Sequence, residues 1–68
     1  MSKKFRNLRA VLAMVGPSQR VIAERFGVSR QAVQYWIKHG RITYARAMQV
    51  ERLTGGLVRV EDLRGYIK

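Results

Sequence analysis

Leu8, Val11, Leu12 and Val15 recur at intervals of three and four residues, the spacing that places side chains on one face of a helix. Gly16-Pro17 ends that helix, because the residue before proline avoids the α region and Pro17 has no N–H to donate. Ser18 is a suitable N-cap for a second helix, whose apolar face is Ile22, Ala23 and Phe26 and whose stop is Gly27. Ser29 caps a third helix, in which Ala32, Val33, Trp36 and Ile37 repeat at helical spacing up to Gly40. Ile42 is a core plug in the next connection. A fourth helix is expected over residues 44–54, with Ala47, Val50 and Leu53 inward, Met48 widening that face, and Gly55-Gly56 closing it. The tail carries two patterns. Val58-Arg59-Val60 alternates like a strand, whereas Val60, Leu63 and Ile67 fit a helical turn with Glu61 and Asp62 placed favourably for its dipole.

The segment 19–38, QRVIAERFGVSRQAVQYWIK, carries the chemistry. Two short helices meet at a tight turn, Phe26-Gly27-Val28. Ala23 is small where the helices cross, and Gly27 stands where the turn needs a positive φ. Val28 and Val33 fill the wedge, and Trp36 locks the third helix to the core with Ile22 and Phe26. Ser29, Arg30, Gln31, Gln34, Tyr35 and Lys38 are left on the outer face, and none of them is acidic.

Charge sharpens the picture. The 68 residues hold 14 Lys and Arg against 4 Asp and Glu. Residues 1–50 carry ten basic residues and one acid, Glu24; residues 51–68 carry four and three. So basic a chain is expected to meet a polyanion. Other classes recede. There is no cysteine, so no disulfide or thiolate metal site, and one histidine with four acids makes no convincing metal centre. No paired carboxylates, activated nucleophile or glycine-rich phosphate loop is present, so neither catalysis nor a cofactor is expected. No apolar run approaches the roughly 20 residues of a membrane span, and the stretch 10–15 is too short for a signal-peptide core of about 7–15 residues. A cytoplasmic protein forming one domain over residues 1–68 is expected, with a basic, frayed start at residues 1–6.

Gln19, Ala23, Gly27-Val28 and the apolar pair Val33 and Trp36, at these spacings, resemble the helix-turn-helix of phage Cro proteins and of the related small Cro/YdaS-type bacterial repressors. Gly-Arg-Ile at 40–42, ARAMQVERLTGG at 45–56 and VEDLR at 60–64 resemble the tail of the all-helical members, so the likeness covers about residues 8–65. Thr43 stands where many relatives carry a proline, and Gly65 where relatives often have one. The resemblance implies an all-α bundle of four to five short helices containing a helix-turn-helix. The alternative is a mixed α+β form with a C-terminal hairpin, for which residues 42–44 and 57–60 could supply strands.

It further implies a sequence-specific regulator of transcription, a repressor on a pseudo-palindromic operator, working as a homodimer on double-stranded DNA with no membrane or small-molecule partner. Arg30, Gln31 and Gln34 are the candidates for base edges, Arg to guanine and Gln to adenine, with Tyr35 and Ser29 beside them. Gln19, Arg20, Lys38 and Arg41 are the candidates for phosphates. Arg9 and Arg25 are read as solvated faces. His39 is read as a dipole contact at a helix end ahead of a phosphate contact. Trp36 is read as core ahead of a stacking platform, because it shares helical spacing with Val33. Tyr44 is divided between core edge and backbone contact, and Met14 and Met48 are packing or dimer surface. The expected dimer face is 48–67, which is less basic and has spare apolar residues. Two rivals are an antitoxin, binding DNA in the same way and a toxin chain as well, and a small basic RNA-binding protein, which would normally show exposed aromatics or an RNA-binding sheet.

Overall fold

Four helices each open on a side chain that accepts a backbone N–H three residues on. Asn7 Oδ1 accepts from Ala10 N at 2.9 Å and starts α1, Leu8–Ala13. Ser18 Oγ accepts from Val21 N at 3.2 Å and starts α2, Gln19–Phe26. Ser29 Oγ accepts from Ala32 N at 3.2 Å and starts α3, Arg30–His39. Thr43 Oγ1 accepts from Arg46 N at 3.2 Å and starts α4, Tyr44–Leu53. Each bond satisfies one of the donors that the first turn of a helix leaves without a partner. A 3-10 helix, Val60–Tyr66, follows. This computed structural model describes residues 5–67. Among them there is no strand, only a single parallel bridge between Ile42 and Ile67. No described helix is long and apolar enough to cross a membrane.

The all-α expectation is therefore met, and the mixed form with a C-terminal hairpin is not. Val58-Arg59-Val60 does not pair as a strand: Val58 is buried, and Val60 begins the 3-10 helix. Asp62 starts that helix by accepting the Arg59 N–H at 3.0 Å. Glu51 Oε1 accepts the Val60 N–H at 2.9 Å, and Ile42 N donates to Tyr66 O at 2.7 Å. These bonds fasten the tail to α4 and to the α3–α4 connection.

One apolar cluster joins all five helices. Leu8, Val11 and Leu12 enter it from α1, Ile22, Ala23 and Phe26 from α2, Val33 from α3, Ala47 and Val50 from α4, and Leu63 and Tyr66 from the tail. Val15 is buried as expected, although α1 ends before it at Ala13. Ile42 is the expected plug, 4% exposed. Three expectations change. Met48 does not widen the buried face of α4 but stands 45% exposed. Trp36 is half-buried, packed on the rim of the cluster. Phe5 is not part of a frayed start: it packs against the core, and its carbonyl accepts the Tyr66 hydroxyl at 3.3 Å. The remainder of the expected frayed start, residues 1–4, lies outside the described residues.

Candidate nucleic-acid interface

The α2–α3 corner is set by backbone bonds. Gly27 has φ 75°, and its N–H and that of Val28 return to the end of α2, Val28 N to Ala23 O at 3.0 Å. A left-handed residue there lets α3 start after only three intervening residues, and glycine takes that conformation without the Cβ clash of other residues. Val33 is then completely buried, with Trp36 and Ile37 half-buried beside it. This fixes which side of α3 faces water.

Arg30, Gln31, Gln34, Tyr35 and Lys38 all fall on that outer side and are exposed. They span nine residues of helix, about 12 Å from first to last at 1.5 Å per residue. The face offers guanidinium, carboxamide, hydroxyl and ammonium groups and no carboxylate. Tyr35 is braced by His39 one turn on, with ring centroids 4.2 Å apart and planes at 43°. His39 therefore has a neighbour other than the helix end to which it was assigned. Ser29 is exposed at the head of the same helix, but its oxygen is committed to the cap, which leaves the hydroxyl proton as the group it can offer outward.

The four phosphate candidates are not equivalent. Arg41 is exposed just beyond α3 and lines a shallow concavity of about 390 Å³ with Tyr35, Trp36, Ile42 and Thr43. Lys38 continues the α3 face. Gln19 is half-buried at the first turn of α2. Arg20 lies 3.7 Å from Glu24, in a pair so exposed that it contributes only a few tenths of a kcal/mol. Its guanidinium is thus available, though shared with an acid.

Arg9 is exposed, as its reading as a solvated charge expects, and it also lines a cleft of about 190 Å³ with Ser18, Gln19 and Ile37, at the head of α2. Nothing in the spacing of α1 announces this; it follows from how α1 packs beside α2 and α3. Tyr44, half assigned to the core edge, is 61% exposed. With Met48, Glu51, Arg52 and Val60 it lines a second concave surface, between α4 and the tail. Among the described residues, no cluster of three or more His, Cys, Asp or Glu could hold a metal ion, and no buried side-chain polar atom lacks a partner.

A family model described as bacterial toxin YdaS matches residues 8–67, from the first residue of α1 to the end of the tail. No curated protein and no solved structure matches the chain.

Proposed function

The chain belongs to the bacterial toxin YdaS family, and on that premise we propose that it is a sequence-specific binder of double-stranded DNA that regulates transcription, most simply by occupying an operator. The observation that carries the reading is the outer face of α3: five exposed polar or cationic residues without a carboxylate, on a helix fixed at its back by Val33. A helix of this size fits the major groove, and its N-terminal half presents Arg30, Gln31 and Gln34 to base edges. Lys38, Arg41, Gln19 and Arg9 grip phosphates on either side and set the register. The head of α2 favours an anion there as well.

One short reading helix covers few base pairs. Two copies on half-sites one helical turn apart, about 34–36 Å, multiply the discrimination. The α4–tail face suits the contact between copies. It exposes Tyr44, Met48 and Leu57, and its Arg52, Arg59 and Arg64 are matched by Glu51, Glu61 and Asp62, so two strongly cationic chains can approach there. A second setting for the same activity is a toxin–antitoxin pair, since the family's description names a toxin.

Affinity for a site selected from random duplexes, measured across salt concentrations, tests the reading. With about five phosphate contacts, the slope of log K against log salt is expected near −4 to −5. Equal affinity for an RNA of the same length, or a flat slope, would sink it. Sedimentation on one palindromic operator tests the pairing, and a saturated complex holding a single chain would contradict it.

A further inference from the structure

Arg46 differs in its surroundings from the other basic residues of α1 to α4. Arg6, Arg9, Arg20, Arg25, Arg30, Lys38 and Arg41 are exposed, whereas Arg46 is half-buried. Its guanidinium carbon lies over the Trp36 ring, 5.6 Å from the centroid. Its Nη1 donates to Gln49 Oε1, and Gln49 Nε2 donates at 3.4 Å to the carbonyl of Phe26, the last residue of α2. The Phe26 ring meets Trp36 edge-on, with centroids 5.1 Å apart and planes at 72°. Arg46, Trp36, Phe26 and Gln49 thus close a ring of four contacts that ties α4 to α2 and α3 at one point.

We propose that Arg46 and Gln49 are positioning residues for α3, holding it at the angle at which its outer face meets DNA, and that Arg46 is not a phosphate ligand. The proposal rests on the reading of α3 as the DNA-reading helix. Val33 is the only completely buried residue of that helix; its other attachments to the core, Trp36 and Ile37, are half-buried. Such a helix can tilt unless its far end is held. Arg30 lies six residues from Trp36, about 9 Å along the axis, so a tilt of about 10° at Trp36 displaces it by about 1.6 Å. That exceeds the tolerance of a hydrogen bond to a base. The planar guanidinium suits the task, since it stacks on an indole while donating in its own plane.

Trp36 is the sole tryptophan of the chain, so its emission reports the clamp in the free protein. Arg46→Met keeps an unbranched stem and removes the charge and the fork. It should alter Trp36 emission, weaken the best duplex about three- to tenfold, and flatten preference at the base pairs facing α3. The salt slope should stay at its wild-type value. Gln49→Ala should do the same to a smaller degree with the Arg46 charge retained, and it decides the matter alone if Arg46→Met does not fold by circular dichroism. A salt slope shallower by about 0.9 would make Arg46 a phosphate contact and overturn the proposal. Unchanged Trp36 emission, or weaker binding with base preference intact, would overturn it as well. Failure of the wild-type protein to bind any duplex would instead remove the reading of α3, and the emission of the two variants would still decide whether the clamp exists.

Discussion

The α2–α3 unit and the tail are built by opposite kinds of contact. In α2–α3 the determining bonds span three to five residues: Ser18 to Val21, Ala23 to Val28, Ser29 to Ala32. In the tail the Asp62–Arg59 cap is local, but the bonds that fasten it in place span long stretches of chain: Val60 to Glu51, Ile42 to Tyr66, Tyr66 to Phe5. The first unit carries its geometry in its own sequence, so its outward residues can change without disturbing how it folds. The tail takes its shape from what it covers. Their charge differs in the same sense. The α3 outer face has no acid, whereas residues 51–64, from the end of α4 through most of the tail, hold three arginines and three acids. An acid-free surface and a surface of mixed charge are thereby separated on one small core.

The largest expected effect comes from breaking the tail. Leu63 is completely buried, and Leu63→Ala should cost about 2–5 kcal/mol of unfolding free energy. A chain of this length has only about 3–10 kcal/mol in total. Urea unfolding measures the loss, and a value under about 1 kcal/mol would mean that α1 to α4 fold without the tail.

The corner between α2 and α3 comes next. A Cβ on Gly27 would meet no atom within 4 Å, so Gly27→Ala tests the backbone conformation alone. It should cost about 1–2 kcal/mol, read from the shift of the thermal midpoint. An unaltered midpoint would mean that the corner relaxes to another conformation, and the α3 face with it.

Thr43→Ala is smaller, about 1 kcal/mol, through loss of the α4 cap. Thr43→Ser should restore most of it, and equal loss in both would show that the methyl group rather than the hydroxyl matters.

What the sequence made legible follows the same division. Ser18, Ser29 and Gly27 declare themselves because a cap or a left-handed turn is decided by neighbours a few residues away. Val33 and Ile22 declare themselves through periodicity. The tail does not, since Val60, Leu63 and Ile67 suit an α or a 3-10 turn and Val58-Arg59-Val60 suits a strand. The local cap of Asp62 on Arg59 favours the helix, and Glu51 and Ile42, distant in sequence, fix where it lies. Met48 looked inward because its spacing continues the Ala47 face, but among the described residues it is left 45% exposed. In the candidate interface, the α3 face was visible from the helical period, while the place of Arg9 and the inward use of Arg46 depend on how α1 and α4 dock, which no local pattern carries.

The central claim is that α3 reads bases while the groups around it hold the backbone. Binding of the single variants Arg30→Ala, Gln34→Ala, Gln19→Ala and Arg41→Ala to a panel of single-base operator variants tests it most directly. Arg30→Ala and Gln34→Ala should each lose about 1–3 kcal/mol at one base pair and change preference there alone. Gln19→Ala and Arg41→Ala should weaken every duplex by the same factor. A uniform loss on every duplex for both Arg30→Ala and Gln34→Ala would contradict the assignment of α3 as the reading helix.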